Sequence, residues 1–134
     1  MPAHEHLDIA IVGGGAAGLA TAIFAAESLG SGRGRIVVLD GAPRLGAKIL
    51  VSGGGRCNVT HREVRPQDFH GHRVLVRNIL AALPAERTVE WFRSLGVELV
   101  EEETGKLFPT SGSARTVLDA LLDRCNELGV ELRT

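Results

Sequence analysis

The stretch Asp8-Ile-Ala-Ile-Val-Gly-Gly-Gly-Ala-Ala-Gly18 decides the fold of this chain. Its apolar first half predicts a short buried strand over 9–12, and the small apolar residues that follow predict a helix over 16–29. Between the two, Gly13, Gly15 and Gly18 have the G-x-G-x-x-G spacing of dinucleotide-binding loops. We expect the three glycines to provide, in that order, a tight turn, close approach of the backbone to a pyrophosphate, and close packing of helix on strand.

A second predicted strand, over 35–39, ends at Asp40, which lies 22 residues after Gly18. A carboxylate in this position is expected to bind the ribose hydroxyls of an adenosine, while the helix N-terminus faces the phosphates. It favours a free 2′-hydroxyl, so FAD or NAD is preferred to NADP at this site. The alternative interpretation is a strand–turn–helix with a tight glycine turn and a surface aspartate that binds nothing.

The residues after Asp40 supply further candidates for ligand binding. Pro43 and its neighbouring glycines predict a loop over 41–48, from which Arg44 and Lys48 could reach the adenosine phosphates or ribose. The segment Ser52-Gly-Gly-Gly-Arg-Cys-Asn58 then exposes backbone N–H groups and permits a flat or anionic ligand to approach closely. We interpret it as a second ligand-binding loop, the alternative being a glycine-rich surface loop.

Three side chains of that second loop have chemistry of their own. Arg56 presents a cationic fork, and Asn58 offers both a donor and an acceptor. For Cys57, a packing role is favoured over redox chemistry, because no second cysteine lies near it in the sequence.

Composition restricts the class of protein. The chain has 134 residues, of which 44% are hydrophobic and 23% charged, an ordinary balance for one globular domain. A formal net charge of −1 gives no reason to expect a nucleic-acid or membrane partner. Two cysteines without a C-x-x-C motif, and no visible signal peptide or membrane span, fit a cytoplasmic protein. The pair His70 and His72 lacks further ligands at metal-binding spacing, so no metal site is expected.

The rest of the chain predicts alternating helices and strands. We expect helical turns at 78–83, helices at 85–95 and 113–128, a hairpin of strands at 97–100 and 106–109, a last strand at 130–133, and a connecting loop over 61–77. Ser113 is the expected N-cap of the last helix, Cys125 a core residue, and Trp91 and Phe92 packing residues rather than a substrate box. The parallel sheet would place its last strand beside the first and leave an exposed edge, which another chain could cover.

Three motifs together resemble the BaiN/YhiN-like bacterial flavoproteins. They are Gly13-Gly-Gly-Ala-Ala-Gly18, Gly46-Ala-Lys-Ile-Leu-Val-Ser-Gly-Gly-Gly-Arg-Cys-Asn-Val-Thr60 and Gly105-Lys-Leu-Phe-Pro109. Members of that family are NAD(P)/FAD-dependent oxidoreductases, some of them named aminoacetone oxidases, and they are much longer than this chain. The resemblance implies an α/β Rossmann-like FAD/NAD(P)-binding domain over 1–134. It would be the N-terminal portion of a two-dinucleotide-binding-type flavoprotein, incomplete on its substrate side.

The resemblance also implies where FAD lies. The first glycine loop would hold its pyrophosphate, the acid at Asp40 its ribose, and the second loop its flavin. The site residues assigned to the adenosine-diphosphate half are Gly13, Gly14, Gly15, Ala16, Ala17, Gly18, Asp40, Arg44 and Lys48. Those assigned to the flavin side are Ser52, Gly53, Gly54, Arg56 and Asn58. Arg56 is the best candidate for a group that stabilises charge on reduced flavin or substrate, and no proton donor is assigned.

These assignments lead to one hypothesis and two alternatives. The hypothesis is an FAD-dependent oxidoreductase, reduced by NAD(P)H and reoxidised by a small organic substrate or another acceptor. The first alternative is a non-catalytic or truncated dinucleotide-binding module that needs missing segments or a partner chain for turnover. The second is an NAD-dependent dehydrogenase, which would leave the segment 52–58 unexplained.

Overall fold

A computed structural model describes residues 6–30 and 32–134 of the chain. The prediction that no signal peptide is visible concerns the first residues of the chain, of which 1–5 lie outside the described residues. The strands are β1 (Ile9–Val12), β2 (Ile36–Leu39), β3 (Thr60–His61), β4 (Leu99–Glu101), β5 (Lys106–Pro109) and β6 (Glu131–Arg133). The helices are α1 (Ala16–Leu29), α2 (Ala47–Val51), α3 (Arg73–Ala82), α4 (Ala85–Ser94) and α5 (Ala114–Glu127).

The main sheet is parallel, with the strand order β1-β2-β6. It confirms the predicted α/β class and the parallel sheet, but the predicted order was wrong, because β6 pairs with β2 and not with β1. The turn that follows β2 packs against α5, the helix that leads into β6, and Gly46 of that turn lies against Leu118. In the common doubly wound sheet, strands 1, 2 and 3 are neighbours in that order, and here β1, β2 and β6 take those three places.

One face of β1 is uncovered in the described part of the chain. Ile9 and Ile11 are half-buried against the core, whereas Ala10 is exposed and the Val12 side chain is 87% exposed. The prediction of a buried strand was therefore wrong for this face. β1 pairs with β2 on one side and has no partner on the other among residues 6–30 and 32–134. It is therefore an exposed edge of the sheet, whereas the predicted order would have placed it in the middle, between the last strand and β2.

The core lies between the main sheet, α1 and α5. Leu19 and Ile23 of α1 and Leu121 and Cys125 of α5 are fully buried. Burial raises the pKa of the Cys125 thiol to about 11, and its Sγ donates to the backbone oxygen of Leu19 at 3.8 Å. The predicted core role of Cys125 is confirmed.

Helix α5 begins where its capping residue predicts. The Ser113 side chain accepts a hydrogen bond from the backbone N–H of Arg115 at 3.3 Å. This bond satisfies one of the N–H groups that have no partner in the first turn of a helix. The predicted N-cap is therefore confirmed.

A smaller antiparallel sheet has the order β3-β5-β4 and confirms the predicted hairpin. Two segments predicted as loops contain further elements. Helix α2 begins inside the predicted loop 41–48, because the burial of Ile49 stabilises a helix too short to show a period. The predicted loop 61–77 contains the end of β3, a 3₁₀ turn over Pro66–Asp68 and the start of α3.

The N-terminus of α1 lies very close to the turn that follows β1. A Cβ atom on Gly18 would overlap the backbone oxygen of Gly13. Gly13 itself adopts a φ of 109°, which an L side chain rarely adopts. Gly18 therefore permits the close helix–strand packing, and Gly13 the tight turn, that their spacing predicts.

We expect Gly18→Ala to lower the free energy of unfolding by about 3 kcal/mol or more, because its methyl group meets backbone rather than a flexible side chain. Alanine is the better helix former, so propensity alone would predict the opposite sign. The matched control is Gly41→Ala, where a Cβ meets nothing within 4 Å. Denaturant unfolding measures both variants, and equal stabilities would contradict the close approach of α1.

Candidate functional site

A cavity of about 720 Å³ opens where β1 ends, between the first glycine loop and the segment 52–58. Its volume lies within the range of about 300–1,000 Å³ typical of small-molecule and cofactor sites. Eight of the predicted site residues line it: Gly13, Gly15, Ala16, Ala17, Gly18, Lys48, Ser52 and Asn58. The fold thus brings the two glycine-rich segments, separate in sequence, to the same cavity.

The N-terminus of α1 faces this cavity, and no side chain of the helix occupies the N–H groups of its first turn. Gly15 is the N-cap residue, no side chain caps the helix, and its first turn contains no acid. The first N–H groups of a helix have no intrahelical partner and carry partial positive charge. A Cβ atom on Gly15 would meet nothing within 4 Å, so the space in front of these N–H groups is open.

The charge of the cavity wall favours an anionic ligand. Lys48 is the single cationic side chain among the lining residues, and no carboxylate lines the cavity. Lys48 is exposed on α2 and takes part in none of the ion pairs formed by the described residues. Its ammonium group is therefore free to pair with a phosphate.

The middle glycine, Gly14, is held from both sides by the segment after β2. Its N–H donates to Oδ2 of Asp40 at 2.6 Å, and its carbonyl oxygen accepts from the N–H of Gly46 at 2.8 Å. A Cβ atom on Gly14 would overlap the Leu45 side chain. Gly14 therefore shapes the loop and does not line the cavity.

Both carboxylate oxygens of Asp40 already accept backbone hydrogen bonds. Oδ2 accepts from Gly14 and Oδ1 from the N–H of Ala42 at 2.8 Å. The Ala42 and Gly14 bonds hold the pKa of Asp40 below its usual value. Neither Asp40 nor Arg44 lines the cavity, so their contact with a ligand stays a prediction.

Arg56 points towards the β4–β5 hairpin rather than into the cavity. Its guanidinium forms an ion pair with Glu102 and lies 4.1 Å from the centroid of the Phe108 ring. Gly53 and Gly54, in left-handed conformations with φ of 55° and 67°, form a tight turn beside it. None of these three predicted flavin-side residues lines the cavity, so their role towards a flavin stays a prediction.

Asn58 and Cys57 connect the second loop to the small sheet. The neighbouring acceptors assign the Asn58 amide orientation in which the nitrogen donates to the backbone oxygens of Thr60 at 2.9 Å and Leu107 at 3.3 Å. The Cys57 N–H donates to the backbone oxygen of Ser52 at 3.0 Å, and its side chain is buried. Both residues line the cavity, and their polar contacts hold the loop in place.

Sequence reasoning missed the apolar end of the cavity. Phe24 and Trp91 stack with their ring centroids 5.0 Å apart, and Phe92 meets Trp91 edge-on at the same distance. These three rings line the cavity together with Val12 and Leu83. Trp91 and Phe92 do pack, as predicted, but they also face the cavity. The available signal was the stripe of Ala17, Ala20 and Phe24 along one face of α1.

The model of the HI0933-like protein Rossmann domain matches residues 7–134. The chain belongs to the HI0933-like family of Rossmann domains. It is 37% identical over 114 residues to a 3-dehydro-bile acid delta(4,6)-reductase of Clostridium scindens, covering 84% of this chain and 27% of the relative. It is 32% identical over 130 residues to a ribosomal RNA dihydrouridine synthase of Escherichia coli, covering 96% of this chain and 31% of the relative.

This HI0933-like domain spans less than a third of the length of those curated relatives. A crystal structure of Thermovibrio ammonificans THI4 matches it with a TM-score of 0.56 and 19% identity, over 94% of this chain and 37% of that one. The structural match supports the Rossmann fold alone. The family match confirms the resemblance to BaiN/YhiN-like proteins and assigns the domain to a nucleotide-binding flavoprotein oxidoreductase family.

Two further properties of the HI0933-like domain concern membranes and metals. No helix in residues 6–30 and 32–134 is long and apolar enough to cross a membrane. The same residues contain no group of three or more His, Cys, Asp or Glu side chains placed to hold a metal ion.

We expect Gly15→Ala to keep its fold and lose affinity for ADP. Its φ of −86° and ψ of −169° suit alanine, and the added methyl group would occupy only the open space in front of the helix. The free energy of unfolding should change by less than about 0.5 kcal/mol. Calorimetry should find ADP affinity reduced about tenfold or more, which is about 1.4 kcal/mol of binding free energy. Unchanged affinity would show that phosphates do not bind against this residue.

We expect Arg56→Lys to destabilise the second loop, because lysine keeps the charge but loses the planar fork towards Glu102 and Phe108. The free energy of unfolding should fall by about 1 kcal/mol, since both contacts are partly exposed. The control is Arg62→Lys, which alters the neighbouring ion pair with Glu101. It should lower the free energy of unfolding by less. If Arg56→Lys leaves stability unchanged but slows flavin reduction, Arg56 acts on the cofactor instead.

Proposed function

We propose that this domain binds FAD and serves an oxidoreductase that takes hydride from NAD(P)H and reduces a carbon–carbon double bond. One observation carries the proposal: a single cavity combines an uncapped helix N-terminus, one free lysine and no carboxylate with an aromatic far end. Such a cavity suits a molecule with an anionic centre and a flat ring.

The residues present fit the adenosine-diphosphate half of FAD. Gly15 and the first turn of α1 would leave their N–H groups to the pyrophosphate, and Lys48 would neutralise part of its charge. The Ser52 hydroxyl donates to the backbone oxygen of Ile49 at 2.8 Å, so its own oxygen can still accept a hydrogen bond. Asp40 keeps free lone pairs for ribose hydroxyls beside the two backbone bonds it accepts.

The aromatic end would receive an apolar ring and exclude water from it. Phe24 and Trp91 supply flat surfaces, and Leu83 completes this side of the wall. When bound, FAD supplies hydride transfer, while the protein binds and orients it. The second glycine loop, with Ser52 and Asn58 on the same cavity, supports FAD over an NAD-dependent dehydrogenase, which would leave that loop without a function.

The names of the relatives suggest the acceptor. A delta(4,6)-reductase of 3-dehydro bile acids and a dihydrouridine synthase both act on a carbon–carbon double bond in a molecule that also has a carbonyl group. We infer the same class of acceptor here. NAD(P)H and one proton would be consumed, and NAD(P)⁺ and a saturated carbon–carbon bond formed. A small molecule is the proposed substrate, in a cytoplasmic protein without a nucleic-acid partner.

The cofactor proposal predicts retention of FAD. Protein mixed with FAD should carry the visible absorption of flavin through gel filtration. Lys48→Gln should weaken ADP binding several-fold, and less so at high salt, because the lost interaction is electrostatic. Lys106→Gln removes the same charge from the hairpin, away from the cavity, and should have no effect. Folded protein that retains no flavin and binds no ADP would contradict the proposal.

The acceptor proposal requires a separate assay. Oxidation of NADH and NADPH by the flavin-loaded protein should accelerate with cyclohexenone as acceptor, and the saturated ketone should form. Ribosomal RNA is the competing acceptor, and dihydrouridine in the RNA without turnover of the ketone would overturn the expectation of a small-molecule substrate. Oxidation that neither acceptor accelerates, in this chain and in a longer protein that carries this domain, would overturn the reductase assignment.

A further inference from the structure

Asp40 has more hydrogen bonds inside the protein than a ribose-binding role requires. Its Oδ2 accepts the N–H of Gly14 at 2.6 Å, and its Oδ1 accepts the N–H of Ala42 at 2.8 Å. The Gly14 bond joins residues 26 positions apart in sequence. It ties the first glycine loop to the end of β2.

This bond belongs to a set that fixes the glycine loop along the segment 39–46. The Gly13 N–H donates to the backbone oxygen of Leu39 at 2.7 Å, and the Gly14 carbonyl accepts from Gly46 at 2.8 Å. The bond from the Gly14 N–H to the Asp40 carboxylate is the single side-chain contact of this set. Without it, the N–H of the buried Gly14 would be a donor with no acceptor.

The same bond decides which N–H groups are left for a ligand. Because Gly14 donates to Asp40, its N–H is directed away from the cavity, which Gly14 does not line. Gly15 and the first turn of α1 do line it, and no side chain caps them. A change in the Gly14 peptide would move the Gly15 N–H and the start of α1 relative to the phosphates.

We propose that Asp40 is a positioning residue for the phosphate-binding loop, acting through the Gly14 peptide in addition to any contact with ribose. The inference rests on the proposed nucleotide site. The lowered pKa of Asp40, caused by the Ala42 and Gly14 N–H groups, agrees with a carboxylate that is ionised and bonded in the folded protein. A ribose-binding role alone would leave phosphate affinity independent of this side chain.

The test compares ADP with 2′,3′-dideoxy-ADP, which lacks both ribose hydroxyls. We expect Asp40→Asn to weaken dideoxy-ADP about tenfold and ADP at least as much, because the uncharged Asn side chain can accept only one of the two backbone N–H groups that Asp40 binds. If Asp40 serves the ribose alone, Asp40→Asn will weaken ADP and leave dideoxy-ADP unchanged, which would overturn the proposal. Unchanged affinity for both ligands would overturn it as well.

A matched control lies at the other end of the same two strands. Oδ2 of Asp8 accepts the backbone N–H of Arg35 at 2.7 Å, so Asp8→Asn removes a similar bond far from the cavity. It should leave the affinity for both nucleotides unchanged. Equal loss of affinity in Asp8→Asn and Asp40→Asn would show a general effect of destabilisation and would contradict a specific role for Asp40.

A second readout does not need a ligand. Amide hydrogen exchange of Gly14 should be about tenfold faster in Asp40→Asn, while exchange in the middle of α5 stays the same. If wild-type protein binds no ADP, the proposed nucleotide site fails, and the exchange rate of Gly14 still decides whether Asp40 holds the loop. Unchanged exchange at Gly14 would refute that role.

Discussion

The structure depends on the close approach of α1 to the end of β1. A helix N-terminus attracts an anion only over its first turn, so the position of that turn decides whether the attraction is used. The close contact between Gly18 and the Gly13 carbonyl fixes the position of that first turn, because it leaves no room for a side chain at Gly18. The three glycines of the motif have different functions: Gly13 makes the turn, Gly18 permits the contact, and Gly15 leaves the ligand side open.

The segment from Leu39 to Gly46 supports that arrangement from the side. It contributes one backbone acceptor, one carboxylate and one backbone donor to the glycine loop. The same segment packs against α5 through Gly46 and leads into α2, which carries Lys48 to the cavity. The loop and Lys48 are therefore positioned by a single connection, so the shape and the charge of the proposed phosphate site depend on the same residues.

The sequence predicted the elements whose geometry is local and missed those decided by distant partners. The bounds of α1 and the N-cap of α5 follow from residues adjacent to them. The strand order was wrong because nothing in β6 itself distinguishes β1 from β2 as a neighbour. Helix α2 is too short to show a period, and the direction of Arg56 depends on Glu102, which is 46 positions away. Trp91 shows a further limit of prediction from sequence. An apolar residue on one face of a helix has the same sequence pattern whether it packs in the core or lines a cavity.

The polarity of the cavity agrees with the division of a dinucleotide into a charged and a flat apolar part. The end proposed for the phosphates has partial positive charge from α1 and a full charge from Lys48, and no carboxylate is among the lining residues. Its other end is aromatic, and the Trp91 indole N–H there is buried without a partner in the described residues. Such a donor costs free energy in the unliganded protein, and a ligand acceptor that reached it would remove that cost. Both ends of the cavity therefore favour a bound molecule over water, for different physical reasons.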